Sequence, residues 1–281
     1  MDEFEAIPAS EASYAHGEGP RYDAAPAELL WVDIGEGRLL RADPDRLDVV
    51  TEIRLDRMLG AVAPAAGGGW IAAAGTGLAM LGRDGRQTTL AELEPPGNRM
   101  NDAACDPQGR FWAGSMALDE RPNVASLYRL GPGGELTVVL DGLSIANGLG
   151  WSPDGETMYH ADSGTGTITA YDFDPGTGEI ERPRIIVRPP HGVPDGLCVD
   201  HEGLLWVALY GGAAVARYEP GGREVARIPL PVSRVTSCAF VGERLFITTA
   251  SRHAADAEPD AGRLFAADVG VGGPPASQYI G

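Results

Sequence analysis

Asp106-Pro-Gln-Gly-Arg-Phe-Trp-Ala-Gly114 joins a turn of Asp, Pro and Gly to a short strand-forming run with an aromatic residue near its centre. Five more segments of the 281-residue chain share this pattern: Tyr22–Asp33, Pro64–Ala73, Ser152–Asp162, Asp200–Ala208 and Val241–Thr248. The central aromatics of the six copies lie 39 to 47 residues apart: Trp31, Trp70, Trp112, Tyr159, Trp206 and Phe246. A repeat of this length is typical of the four-stranded blade of a β-propeller.

Further short runs of alternating apolar and polar residues lie between the copies: Gly37–Ala42, Ser126–Leu130, Gly166–Tyr171, Ala213–Tyr218 and Gly262–Ala267. No helical run of any length interrupts them. A β-sandwich also uses many short strands, but it does not require an even repeat from residue 22 to residue 268. The sequence therefore predicts an all-β fold, a six-bladed β-propeller that forms a single domain over residues 1–281.

Composition and charge exclude several classes of partner. The formal net charge of −18 repels phosphate backbones and anionic lipids, so we expect no nucleic-acid or membrane partner. The first residues are acidic, and no later run approaches the roughly 20 apolar residues of a membrane span, so we expect a cytoplasmic protein. We also expect a monomer. Three cysteines in apolar contexts, Cys105, Cys198 and Cys238, predict buried free thiols.

Polar segments precede four of the repeat copies, where each inner strand of a propeller would begin: His16–Pro20, Asn98–Asp102, Ala146–Trp151 and Val193–Cys198. Glu18, Asn147 and Asp195 in these segments each sit beside glycine, which alone is typical of a solvated turn. A propeller brings such recurring positions onto one ring around the channel. Two carboxylates and an amide oxygen are hard ligands, so the pattern predicts one divalent cation such as Ca²⁺, Mg²⁺ or Mn²⁺.

For each of two charged residues near the third repeat, the sequence allows two roles. Arg99 could form a surface salt bridge, or its planar guanidinium could face the channel and bind a carbonyl or hydroxyl group of a polar substrate. Asp119 could be an exposed loop acid, or it could accept hydrogen bonds from sugar hydroxyls. The sequence alone leaves these alternatives open.

Several segments together resemble one family: Gly17–Pro20, Asn98–Asp102, Asn147–Leu149 with Trp151–Ser152, Pro194–Gly196, Val235–Cys238 and Ala261–Phe265. In this order and spacing they resemble the gluconolactonase, regucalcin (senescence marker protein) and luciferin-regenerating-enzyme family of six-bladed propellers. The resemblance implies that Glu18, Asn147 and Asp195 bind the metal and that Arg99 and Asn101 hold the substrate. Asp119 would correspond to a further substrate-binding acid, which is usually Glu. Ca²⁺ is the expected ion, with Zn²⁺, Mn²⁺, Mg²⁺ and Fe²⁺ as alternatives.

The resemblance also implies an activity, the hydrolysis of small sugar lactones to aldonic acids. In this hypothesis the metal polarises the lactone carbonyl and Asp195 activates the attacking water. Two other functions remain open. One is a phosphotriesterase-like hydrolase that uses the same metal site, because a fold does not determine the substrate. The other is a non-catalytic, calcium-binding regulatory protein.

Overall fold

Twenty-five β-strands and no helix occur in the part of the chain that the structure, a computed structural model, describes, residues 2–252 and 258–281. Two short strands come first: β1 (Asp2–Glu3) and β2 (Ile7–Pro8). The remaining strands form six blades in chain order.

Blade 1 contains β3 (Gly17–Asp23), β4 (Glu28–Asp33), β5 (Arg38–Ala42) and β6 (Thr51–Arg54). Blade 2 contains β7 (Leu59–Pro64), β8 (Trp70–Ala74), β9 (Gly77–Leu81) and β10 (Gln87–Glu92). Blade 3 contains β11 (Asn98–Cys105), β12 (Phe111–Ala117), β13 (Ala125–Leu130) and β14 (Leu136–Leu143). Blade 4 contains β15 (Ala146–Trp151), β16 (Thr157–Asp162), β17 (Thr167–Phe173) and β18 (Ile180–Val187). Blade 5 contains β19 (Val193–Val199), β20 (Leu205–Tyr210), β21 (Ala214–Tyr218) and β22 (Glu224–Pro229). Blade 6 contains β23 (Val235–Val241), β24 (Arg244–Thr249) and β25 (Phe265–Asp268).

The first strand of each blade lines a central channel. These six inner strands, β3, β7, β11, β15, β19 and β23, contact one another in a closed cycle, and β23 contacts β3. The prediction of a six-bladed β-propeller is confirmed. The repeat aromatics lie on the second strand of each blade, where their burial between neighbouring sheets favours folding by roughly 1.5–3 kcal/mol for each large apolar side chain.

In blades 3 and 5, a turn residue of the repeat forms a hydrogen bond with the central aromatic. Asp106 accepts a hydrogen bond at 3.0 Å from the indole Nε1 of Trp112, six residues later. Asp200 accepts the equivalent bond at 2.9 Å from Trp206. The other oxygen of each carboxylate accepts backbone N–H bonds within the turn. In these two blades the Asp-to-Trp spacing therefore couples turn geometry to core packing, because the carboxylate supplies an acceptor for the buried indole N–H.

The two chain ends take part in the ring in ways that the repeat did not indicate. Strand β2 pairs with β25 and so supplies the fourth strand of blade 6, which joins the N-terminal residues to the last blade. Strand β1 adds a fifth, parallel strand to blade 5. Each pairing satisfies backbone groups on an otherwise open sheet edge, so the ring is closed by hydrogen bonds from both ends of the chain.

The segment after β25 crosses the lower mouth of the channel, where the inner strands end. Its backbone N–H groups at Ala276, Tyr279 and Ile280 donate to carbonyl oxygens of blades 1, 2 and 3, respectively. Tyr279 is buried, and its hydroxyl donates to the carbonyl oxygen of Gly131 at 3.2 Å. The C-terminal residues therefore link several blades on the lower face.

The three cysteines are free thiols near this lower end. Cys105 and Cys238 are buried, and Cys198 is half-buried. The Sγ atoms of Cys198 and Cys238 are 3.7 Å apart, well beyond the roughly 2.05 Å of a disulfide bond. Within the residues described, no helix has the length and apolar character needed to cross a membrane.

Candidate active site at the upper mouth of the channel

A cavity of about 420 Å³ lies at the upper mouth of the channel, where the inner strands begin. Its walls come from blades 1, 3, 4 and 5 and consist of His16, Glu18, Arg99, Asn101, Met116, Glu120, Ile145, Asn147, Ser163, Gly164, Val193, Asp195 and Tyr210. The structure thus brings together five of the six predicted site residues, which lie up to 177 positions apart in the sequence.

A recurring irregularity of the inner strands positions the polar side chains. The register between the first and second strands shifts between Glu18 and Arg21 in blade 1. Equivalent shifts span Asn101 in blade 3, Asn147 in blade 4 and Asp195 in blade 5. A β-bulge leaves residues unpaired and redirects their side chains. The glycines beside these residues serve the same geometry, since Gly19 has a φ of 55° and a Cβ at Gly196 would clash with Ser237.

The three predicted metal ligands are all buried, with exposures of 3% for Glu18, 6% for Asn147 and 6% for Asp195. Burial and the negative charge of Asp102 raise the pKa of Glu18 to about 8. Burial and the charge of Glu18 raise the pKa of Asp195 well above its usual value. Two carboxylates that repel one another in a poorly solvated position are stabilised by a bound cation.

Asn147 is oriented by a neighbouring serine. Its amide Nδ2 donates to Ser163 Oγ at 2.9 Å, and that hydroxyl donates to the carbonyl oxygen of Pro194 at 2.6 Å. This arrangement leaves the amide oxygen of Asn147 available as a ligand. In the regions that the structure describes, no three His, Cys, Asp or Glu side chains converge as a metal site. The oxygen donors gathered here are the two carboxylates and the amide oxygen of Asn147. The residues present fit a hard divalent cation such as Ca²⁺.

Arg99 and Asn101 form a linked pair on the wall from blade 3. Arg99 Nη1 donates to Asn101 Oδ1 at 2.7 Å and to the carbonyl oxygen of Met100 at 2.9 Å. Asn101 Nδ2 in turn donates to the carbonyl oxygen of Ala146 at 2.8 Å. Burial lowers the pKa of Arg99 to about 10, so the guanidinium stays protonated at neutral pH. It faces the cavity as a fixed positive group.

Asp119 does not line the cavity. Its side chain is 64% exposed and pairs with Arg121 at 2.8 Å. The next residue, Glu120, lines the cavity and lies close enough to Arg99 for its charge to act on that guanidinium. Glu120 has a φ of 57°, a left-handed conformation that turns the chain between the two acids. Sequence reasoning missed Glu120, because a left-handed φ at this position cannot be inferred from the identity of the residue.

His16 and Ser163 also line the cavity. Burial lowers the pKa of His16 to about 4, and the charges of Arg99, Arg252 and Arg234 contribute to the shift, so the imidazole is neutral at neutral pH. The Ser163 hydroxyl is engaged by Asn147 and Pro194, which suits an orienting role and not that of a nucleophile.

Comparisons with known proteins agree with this architecture. Residues 16–251 match the family model described as "SMP-30/Gluconolactonase/LRE-like region". The chain is 35% identical to regucalcin of Danio rerio over 94% of this chain and 95% of the relative. It is also 35% identical to YvrE of Bacillus subtilis (strain 168), a protein named as a sugar lactone lactonase, over 92% of both chains.

Solved structures give the same result. Regucalcin from Agrobacterium tumefaciens, described as a calcium-binding protein, superposes with a TM-score of 0.93 and 30% identity over 99% of both chains. A gluconolactonase from Xanthomonas campestris superposes with a TM-score of 0.78 and 25% identity, over 94% of this chain and 89% of that one. The extent of the family match and the identity to full-length relatives together show that this chain belongs to the SMP-30/gluconolactonase/LRE-like family.

Proposed function

We propose that this protein is a metal-dependent lactonase that opens small sugar lactones to aldonic acids at the upper mouth of its channel. The observation that carries the proposal is the meeting of two buried carboxylates, Glu18 and Asp195, with the amide of Asn147 beside the guanidinium of Arg99. The names of relatives support it, since one is called a sugar lactone lactonase and another a gluconolactonase.

Glu18, Asn147 and Asp195 would hold one divalent ion, with Ca²⁺ as the first choice for an oxygen-only ligand set. When bound, such an ion supplies Lewis acidity toward the lactone carbonyl. Three protein ligands leave coordination positions free for substrate and water. Glu18 has no further role in this scheme beyond its charge.

The proton transfers are assigned to Asp195. Its carboxylate accepts a proton from the water whose oxygen attacks the carbonyl carbon. The bond between that carbon and the ring oxygen then breaks, and Asp195 returns the proton to the departing oxygen, which becomes a hydroxyl group. The product is the open aldonic acid. Because Asp195 lies in a buried position, it can exchange a proton with a reactant without competition from bulk water.

Arg99 and Asn101 hold the substrate in this proposal. The hydrogen bond between them fixes the guanidinium plane, so its remaining N–H groups present a rigid donor edge to the substrate oxygens. Glu120, on the same side of the cavity, accepts hydrogen bonds from sugar hydroxyls. The geometry favours Glu120 over Asp119 for this role, because Asp119 points to solvent and pairs with Arg121.

The test begins with protein stripped of metal by a chelator. Single divalent ions are then added with a panel of five- and six-membered aldonolactones and one phosphotriester, and acid release is followed with a pH indicator. We expect lactone turnover that depends on the added ion and is lost again on chelation. Faster turnover of the phosphotriester than of every lactone would contradict the proposal.

A calcium-binding protein without catalysis is the second candidate, because the Agrobacterium relative is described by its calcium binding. The same samples distinguish this candidate from the lactonase. If Ca²⁺ raises the melting temperature but no member of the panel is hydrolysed with any ion, the ion has a structural or regulatory role. The Arg99–Asn101 pair favours the enzyme, since neither residue is needed to hold the ion.

A further inference from the structure

Three arginines surround the upper mouth of the channel. Arg99 lies on the cavity wall, and Arg234, just before β23, stacks on the cavity residue Tyr210 with its Cζ 5.2 Å from the ring centroid. Arg252 follows β24, and its backbone N–H donates to the carbonyl oxygen of Ala15 at 2.9 Å. The side chain of Arg252 lies on the same upper face, because its Nη1 is 3.6 Å from the point where a Cβ on Gly35 would stand, in the turn between β4 and β5.

These arginines differ from most others in the protein. Within the described part of the chain, fifteen of the 22 arginines form an ion pair with a carboxylate, as Arg21 does with Asp102. Arg99, Arg234 and Arg252 form none with any carboxylate side chain that the structure describes. Arg234 donates through Nη1 to the Tyr210 hydroxyl, and its Nε and Nη2 have no acceptor among the described residues. The mouth therefore presents guanidinium donors that internal acids do not neutralise.

The local charge contrasts with that of the whole chain. The cavity wall carries three carboxylates, Glu18, Glu120 and Asp195, and one arginine, Arg99, while Arg234 and Arg252 lie beside it. A divalent ion at Glu18 and Asp195 would make the region positive in a protein whose net charge is −18. A positive mouth on an acidic protein attracts and orients an anion while the remaining surface repels it.

We propose that the lactone cleaved here carries an anionic group, a carboxylate or a phosphate, which Arg234 and Arg252 bind while the ring lies at Arg99 and Asn101. The inference rests on the lactonase function proposed above and adds a substrate class to it. Arginine suits this role because its planar donor fork matches both oxyanions. A neutral sugar lactone would add no anionic partner for Arg234 and Arg252, which have no carboxylate partner among the residues that the structure describes.

The experiment compares lactones that share a ring and differ in the charge at C6. Glucaro-1,4-lactone, with a carboxylate, is paired with glucono-1,4-lactone, and 6-phosphoglucono-1,5-lactone is paired with glucono-1,5-lactone. We expect a higher kcat/KM for the anionic member of at least one pair, and the pair that shows it identifies carboxylate or phosphate. High salt should reduce this preference, because exposed charges are screened.

Substitutions test whether the preference for anionic lactones depends on the arginines at the upper mouth. The double variant R234Q/R252Q should lower the anionic-to-neutral ratio of kcat/KM by about tenfold with little change for neutral lactones. R46Q/R86Q is the matched control, because it removes two charges from exposed turns on the lower face and should leave the ratio unchanged. R234K/R252K keeps the charge and should retain most of the preference.

Two results would overturn the inference while leaving the lactonase proposal intact. One is equal kcat/KM for the members of both pairs. The other is a preference that survives in R234Q/R252Q. If no lactone of either kind is hydrolysed, the lactonase proposal itself fails. Melting temperatures of the variants, measured alongside, show whether a lost preference reflects a lost fold.

Discussion

The upper and lower mouths of the channel are built from the same inner strands, yet they differ in chemistry. At the upper mouth, bulges redirect Glu18 and Asp195 into an open cavity. A few residues further along the same strands, Arg21 is paired with Asp102, and Cys198 lies against Cys238, beneath the C-terminal segment. The comparison shows what the bulges contribute: they turn carboxylates into the cavity, whereas Cys198 and Cys238, on the regular part of the ladder, supply packing.

The largest expected effect concerns the upper mouth. Asp195→Asn should lower the kcat for lactone hydrolysis by about 10²–10⁴-fold, because the amide cannot accept the proton of water. Asp119→Asn is the matched control, since it makes the same change at an exposed acid outside the cavity and should alter kcat less than about twofold. Initial rates at saturating substrate test this. A variant at Asp195 with near-wild-type kcat would remove that residue from the mechanism.

The next effect concerns the lower mouth. Tyr279→Ala should destabilise the fold by about 3 kcal/mol, because it empties a buried aromatic position and removes the bond to Gly131. Chemical denaturation measures the change in unfolding free energy. The folded fraction should keep its kcat, since Tyr279 lies on the opposite face from the cavity. A loss of kcat without a loss of stability would show that the two mouths are coupled.

The next prediction concerns pH and the upper mouth, where the pKa values of the two carboxyl groups, Glu18 and Asp195, are raised. The pKa of Glu18 is raised to about 8 from 4.5, so in ion-free protein the protonated form is favoured and stability falls as pH rises from about 4.5 toward 8. Cation binding requires the ionised form, so affinity should rise by about tenfold per pH unit below pH 8 and then level off. Calorimetric titration with Ca²⁺ between pH 6 and pH 9 measures this. A Ca²⁺ affinity that does not vary with pH would contradict the raised pKa of Glu18 and its role in binding the ion.

The smallest effect distinguishes two adjacent acids. Glu120→Gln should raise KM about fivefold with a smaller change in kcat, because it removes a charged acceptor for sugar hydroxyls. Asp119→Asn should leave KM unchanged. Steady-state kinetics on one neutral lactone tests both variants. If Asp119→Asn raises KM and Glu120→Gln does not, the assignment of the two acids is reversed.

Much of this architecture could be predicted from local pattern. The Asp-to-Trp spacing of the third and fifth repeats corresponds to a real bond, between Asp106 and Trp112 and between Asp200 and Trp206. The positions of Glu18, Asn147 and Asp195 before the repeats were sufficient to expect that they meet, because equivalent places in a ring share one mouth. Their roles as ligands remain a prediction.

Other features of the structure could not be inferred from the nearby sequence. Glu120, and not Asp119, lines the cavity because of a left-handed φ, and either acid is compatible with that short loop. The pairing of β2 with β25 and the path of the C-terminal residues depend on hydrogen bonds to distant blades. Arg234 and Arg252 lie on the same face as Arg99 because the sixth blade closes the ring beside the first.

The sequence by itself determined the repeat, the number of blades and the residue types available at each inner strand, because these depend on period, turn chemistry and side-chain polarity within a few residues. Tertiary structure alone decided which acid enters the cavity, which arginines surround it and how the chain ends close the ring. These outcomes depend on backbone angles and on contacts between residues far apart in the chain, and neither is encoded in any single segment.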